Sequence, residues 1–206
     1  MYNLNIIIPL IIMSYFIGNI SPSVIIGKRM KNIDIRQHGS GNAGTTNAMR
    51  IMGKKVGAAV FMLDLIKGVI PSAIGMYFGA VELAFICGLA TVMGHIFPAV
   101  LKFKGGKGVA TSLGVGLVIA PVHALIGLLI FAIIVIKTRY ISLGSIIGTL
   151  TFPILQIFTT DNMNIVIMSV MLGLLVTYSH RENIKRLING TENKFGVPKK
   201  IGGFYG

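Results

Sequence analysis

Residues 39–50 pack a high density of small and polar groups between two apolar runs: Gly39, Gly41 and Gly44, the hydroxyls of Ser40, Thr45 and Thr46, the amides of Asn42 and Asn47, and finally Arg50. Glycines let a backbone approach a ligand and turn successive N–H groups toward it, and arginine adds a planar cationic fork. Together they have the chemistry of an oxyanion cradle. A helix beginning near Thr45 would aim its positive end at the same anion. The competing reading from residue types alone is a flexible polar surface loop.

Two further clusters repeat this chemistry. In residues 102–111, Gly105, Gly106 and Gly108 flank Lys107, and Val109, Ala110 and Thr111 open an apolar stretch. A nucleotide-binding P-loop needs Ser or Thr directly after its lysine, and here Gly108 holds that place. What remains is glycine beside an ammonium at a helix start, which suits a phosphate. In the third cluster His180 and Asn183 stand three residues apart, on one face if the helix continues there. A basic cap lying on a lipid surface, supported by Lys185, Arg186, Lys194, Lys199 and Lys200, is the competing reading.

Acidic partners are scarce, with 6 Asp and Glu against 19 Lys and Arg. Metal-assisted phosphoryl transfer draws on carboxylates for Mg²⁺, so neither a metal nor another cofactor is expected. A Ser-His-Asp hydrolase is disfavoured because no Gly-x-Ser-x-Gly elbow stands on a strand and Ser40 has no partnered base in sequence. Cys87, the single cysteine, can form neither an internal disulfide nor a cysteine-based metal site. Cations and neutral donors without a metal suit the binding of a phosphorylated small molecule. They also suit stabilisation of charge at a reacting acyl carbon, with proximity supplying much of the remaining rate.

The elements that must position these clusters are membrane spans. With 53% hydrophobic and 12% charged residues in 206, the chain reads as an all-α polytopic helix bundle, a single integral membrane domain over residues 1–206. In such a chain the net charge of +13 is topology, not nucleic-acid binding. The spans fall at about residues 6–27, 56–79, 83–101, two short ones within 109–136 divided near Pro121, then 141–158 and 163–179. These seven transmembrane helices put the N-terminus outside and the C-terminus in the cytoplasm, in the plasma (inner) membrane. Every Lys and Arg then lies on the inner side except Lys67, within the second span, while the outer segments hold only Glu82 and Asp161. Merging the fourth and fifth spans would place Lys137 and Arg139 outside, so seven is preferred. The first apolar run has no basic n-region or cleavage site and reads as a retained span, not a signal peptide. Asp64 and Lys67 share a helix face, either neutralising each other or contacting a ligand, and His95 near an inner end is either a hydrogen-bonding residue or a base.

On these motifs the chain resembles the acyl-phosphate-dependent glycerol-3-phosphate acyltransferases of bacterial membranes. Residues 39–50 resemble the family's first motif. Gly94, His95, Phe97 and Pro98, with Phe103 and residues 105–111, resemble the second, and His180, Arg181, Asn183, Ile184, Arg186 and Leu187 the third. The similarity runs to about Glu192. It implies transfer of a fatty acyl group from acyl phosphate to the 1-hydroxyl of glycerol 3-phosphate, giving lysophosphatidic acid and phosphate at a site facing the cytoplasm. Neither acyl-CoA nor acyl carrier protein would be the donor. The resemblance further implies Ser40, Arg50, Lys107, His180 and Asn183 as catalytic residues, with Ser40, Arg50, Lys107 and Ser145 on phosphate groups and His180 and Asn183 orienting the acceptor or the acyl carbonyl. Gly39, Gly41, Asn42, Thr46, Asn47, Gly105, Gly106, Gly108 and Thr111 join Ser145 as substrate-binding positions. No side chain is then the obvious general base, and a substrate phosphate takes the proton.

The acyl chain needs an apolar slot, for which Gly75, Gly79, Gly114 and Gly116 leave room unless they serve close helix packing. The principal alternative is a transporter or channel for phosphate-bearing anions. Its polar residues would continue across the midplane, where only Asp64 and Lys67 occur. A structural partner of other lipid enzymes is a third reading.

Overall fold

The computed structural model describes residues 4–196; Lys199 and Lys200 of the basic cap lie outside them. Among the described residues there are nine α-helices and no strand: α1 Leu4–Asn19, α2 Pro22–Lys31, α3 Thr45–Met52, α4 Lys54–Ile96, α5 Val109–Ile119, α6 Pro121–Thr138, α7 Ile141–Thr159, α8 Met163–Ser179 and α9 Arg181–Ile188.

Several helix ends follow from local chemistry. Pro22 occupies the first turn of α2 behind an extended Ser21, so α1 and α2 break where the sequence places Ser21-Pro22. Between α5 and α6, Ala120 leaves helical geometry just before Pro121, which divides the long apolar stretch as expected. Helix α4 is interrupted by non-helical Gly79 and Ala80, the latter at φ 64°. The chain doubles back there. Along a straight helix Asp64 and His95 would lie about 46 Å apart, yet Asp64 Oδ1 and His95 Nδ1 are 3.4 Å apart.

Small residues let the helices approach closely. A Cβ at Gly75 would meet the backbone of Leu83 and Ala84, one at Gly114 the backbone of Leu65 and Val69, and Gly127 and Gly148 face each other between α6 and α7. Gly75 and Gly114 are thus packing contacts, whereas Gly79 sits at the break. Large apolar side chains point outward instead, with Leu129 60% and Phe158 81% exposed, as in a bundle surrounded by lipid.

Among the described residues four helical stretches are long and apolar enough to cross a membrane, Leu4–Lys31, Lys54–Leu101, Pro121–Thr138 and Ile141–Thr159, and α8 with α9 makes a fifth. The difference from seven has identifiable sources. The broken α4 counts once, α8 passes only together with α9, and the 11 residues of α5 rise about 16 Å against roughly 30 Å of hydrocarbon.

Connections sort to two ends of the bundle. At one end Asn162 donates to Glu82 at 2.6 Å and Thr159 lies 3.3 Å from His123. At the other, Ser179 donates to the Lys107 carbonyl at 2.9 Å and the Phe195 amide to the Arg139 carbonyl at 2.7 Å.

Candidate functional site

The first cluster is a loop held from inside. Helix α3 starts at Thr45, as expected, behind an extended Gly44. Asn47, 1% exposed, donates to the carbonyls of Ile35 (3.1 Å) and His38 (2.9 Å) and accepts from the Ser40 amide (3.0 Å). Its amide is therefore committed to shaping the loop. Gly39 has φ 63°, and a Cβ there would collide with Asn47 Oδ1, so the loop closes only on glycine. Asp34 and Arg36 anchor the other edge: Arg36 forms a bidentate pair with Asp34 and donates to the Leu101 carbonyl at 3.0 Å. The hydrogen-bonded Arg36 guanidinium holds the Asp34 carboxyl at about 2. Replacing Asn47 by Ala removes three hydrogen bonds, at a cost of about 2–3 kcal/mol. The expected outcome is a lower melting temperature in detergent together with lost activity.

The second cluster turns at Gly108, φ 83°, which caps α5. The Gly106 amide donates to the His95 carbonyl at 3.0 Å, and a Cβ on Gly106 would strike His95 Nε2. Lys107 emerges from this loop and donates to Asn183 Oδ1. Burial lowers its pKa to about 8; Glu192 opposes the fall, while Arg186 and Arg50 deepen it. Arg50, exposed at the end of α3, is therefore electrostatically coupled to Lys107. Thr111 is fully buried and its Oγ1 has no hydrogen-bond partner among the described residues.

The third cluster departs from expectation. The helix does not run on past His180: α9 leaves α8 at a bend of 61°. The cause is local. His180 Nδ1 lies 2.8 Å from the Val176 carbonyl, the acceptor that the backbone N–H of His180 would use in an unbroken helix, and that N–H bonds to Thr177 instead. Because a carbonyl only accepts, Nδ1 carries the proton of a neutral ring and Nε2 is left as an acceptor. Burial first, and then the Lys107 charge, holds His180 at about 4, so it is neutral at physiological pH.

Glu192 was not singled out from sequence as a site residue. It accepts from Ser142 Oγ at 2.9 Å, Asn183 Nδ2 at 2.7 Å and Arg186 Nε at 2.8 Å. Burial pushes its pKa up, but these hydrogen bonds outweigh burial and hold it below the usual carboxylate range. Glu182, beside Asn183 in the sequence, instead pairs with Lys185 at the surface, the two side chains 60% and 71% exposed. The available signal was an isolated acid six residues after Arg186 in a basic tail.

The structure thus joins Lys107, Asn183, Glu192, Arg186 and Ser142 by hydrogen bonds, with Arg50 and His180 in electrostatic reach. No hydrogen bond links Ser40, Asn42 or Thr46 to Lys107 or Asn183 among the described residues. Ser145 lies one turn along α7 from Ser142 and lines an apolar groove instead of the polar cluster. This groove is bounded by Val109, Ser112 and Gly116 of α5, Phe131 of α6, and Ser145 and Phe152 of α7. Val109, two residues after Lys107 in the chain, is part of its lining. Phe152 in its wall stands edge-on to Phe85 and His123 at centroid distances of 6.4 and 6.2 Å.

A profile described as glycerol-3-phosphate acyltransferase matches residues 8–190. The glycerol-3-phosphate acyltransferase of Thermoanaerobacter sp. (strain X514) is 47% identical over 190 residues, 92% of this chain and 96% of that protein. Two crystal structures of PlsY, an integral membrane glycerol 3-phosphate acyltransferase, have the same fold. The glycerol 3-phosphate form superposes with a TM-score of 0.88 at 40% identity, covering 92% of this chain and 96% of that one. The lysophosphatidic acid form gives 0.86 at 40% identity, covering 92% and 95%.

Proposed function

Because the chain belongs to the glycerol-3-phosphate acyltransferase family, we propose that it moves a fatty acyl group from acyl phosphate to the 1-hydroxyl of glycerol 3-phosphate, yielding lysophosphatidic acid and phosphate. The observation that carries this reading is the adjacency of two environments. Lys107, bonded to Asn183 and within reach of the Arg50 charge, stands two residues along the chain from Val109, which lines an apolar groove. Cations suit the phosphates of both substrates, and the groove suits an acyl chain.

In this mechanism Arg50 and Lys107 hold phosphate groups, and the cradle amides of residues 39–44 close over one of them. The 1-hydroxyl attacks the acyl carbonyl, a C–O ester bond forms, and the bond from carbonyl carbon to phosphate oxygen breaks. Cations neutralise the departing phosphate, so a weak base suffices. A His180 ring with a pKa of about 4 is a poor proton acceptor and a good lone-pair partner for the acceptor hydroxyl. The proton then leaves on a substrate phosphate.

For the membrane arrangement we propose seven crossings, with the two limbs of α4 counted separately and α5 as a short span whose Lys107 end faces the cytoplasm at the inner membrane. On this reading the carboxyl-terminal end is cytoplasmic and the amino-terminal end outside.

The test is direct. Purified protein supplied with glycerol 3-phosphate should form lysophosphatidic acid from acyl phosphate and not from acyl-CoA; turnover of acyl-CoA alone, or anion uptake into vesicles without acylation, would overturn the proposal. Two further outcomes are expected. Above a pH of about 8 Lys107 loses its proton, so the KM for glycerol 3-phosphate should climb toward tenfold per pH unit, and Lys107→Arg should flatten that climb because arginine stays charged. Thr149, on the groove wall between Ser145 and Phe152, is a site for blocking the slot. Thr149→Phe should depress kcat/KM for long acyl donors more than for short ones, by about fourfold per excluded methylene.

A further inference from the structure

Below the glycine loop lies a buried charged set that the proposed reaction does not use. Asp64, Lys67 and His95 are 1%, 6% and 6% exposed. Lys67 Nζ sits 2.8 Å from Asp64 Oδ1 and donates to the carbonyls of Gly18 (3.2 Å) and Ile20 (2.7 Å), which the break between α1 and α2 leaves open. His95 Nδ1 approaches the same carboxylate oxygen at 3.4 Å. On its other side His95 is fitted to the loop: its carbonyl accepts the Gly106 amide at 3.0 Å, and its ring fills the volume that a Cβ on Gly106 would need. The next residue is Lys107.

We propose that His95 is a positioning residue for Lys107, its ring set beside the Asp64 carboxylate and braced against Gly106 so that the ammonium is delivered to the phosphate at one place. The proposal rests on the functional reading of Lys107 given above. A histidine serving only to balance Asp64 would need no contact with the loop, since Lys67 already pairs with that carboxylate. A base would need an approach for the substrate hydroxyl, whereas the far edge of this ring is covered by Gly106. The backbone bond from His95 to Gly106 survives any substitution at residue 95. What the side chain adds is a rigid plate between a fixed carboxylate and a glycine, and misplacement of a binding group by about 1 Å costs about 10²-fold in rate.

The prediction is reciprocal. Gly106→Ala drives a methyl into the ring and should lower kcat/KM for glycerol 3-phosphate about 100-fold while the protein stays monodisperse in detergent. His95→Asn keeps an amide donor toward Asp64 but vacates the space over Gly106, and should also lose activity. In the double variant the methyl refills that space, so kcat/KM should recover at least about tenfold over Gly106→Ala alone. Losses that simply multiply, or a Gly106→Ala protein as active as the wild type, would overturn the assignment, because charge balance without positioning predicts no compensation. If His95→Asn does not fold, His95→Gln takes its place in the same cycle with the same expected recovery. Absence of acylation by the wild type itself would instead sink the functional reading, and this proposal with it.

Discussion

Lys107→Ala should lower kcat/KM for glycerol 3-phosphate by about 10³-fold while leaving the fold in place. Lys107 belongs at once to the glycine loop and, through Asn183, to the α9 side of the site. Removing a single preorganised charge-stabilising group from an enclosed site typically costs 10²–10³-fold, and here the Asn183 amide oxygen also loses its donor. Stability should change little. Burial has already lowered the pKa of Lys107, so its charge, though present at neutral pH, is less favourable in the folded protein than in the unfolded chain. Thermal unfolding in detergent separates the two effects, and Arg50→Ala should show a similar but smaller loss, since Arg50 is exposed. Activity within tenfold of wild type in Lys107→Ala would remove the phosphate-holding role.

Glu192→Ala should behave in the opposite way, losing stability first and activity as a consequence. This carboxylate, its side chain 7% exposed, ties the segment after α9 to two helices by accepting from Ser142 on α7 and from Asn183 and Arg186 on α9. Breaking a buried charge pair costs about 3–5 kcal/mol. Arg186 is 38% exposed, so water compensates part of it and about 2–3 kcal/mol is the expected loss. With Asn183 released, Lys107 loses its counterpart, and kcat should fall even at temperatures where the variant remains folded. A variant as stable as wild type would show that Glu192 does not brace α9.

Much of this was legible in the sequence because the signals were of composition and period. The break at Ser21-Pro22, the interruption before Pro121 and the start of α3 at Thr45 follow from proline geometry and from glycine before a helix. The reversal near Ala80 followed from apolar run lengths alone. What stayed hidden depended on contacts between distant segments. That Asn47 serves the loop, that His95 lies between Asp64 and Gly106, and that Glu192 enters the site while Glu182 does not are all decided by packing. The bend at His180 was missed for a related reason. Helical spacing suggested continuity, and a side chain competing for the Val176 carbonyl ended it. Ser145 illustrates the same limit, since a hydroxyl near a helix start suits a phosphate or a groove wall equally until the neighbouring helices are placed.

The most decisive single observation is a structure of the purified protein with glycerol 3-phosphate bound. Its phosphate should lie within hydrogen-bond distance of Lys107 Nζ and Arg50, with the 1-hydroxyl turned toward the apolar groove that Val109 lines. A phosphate seated away from Lys107, or a 1-hydroxyl with no access to that groove, would contradict it.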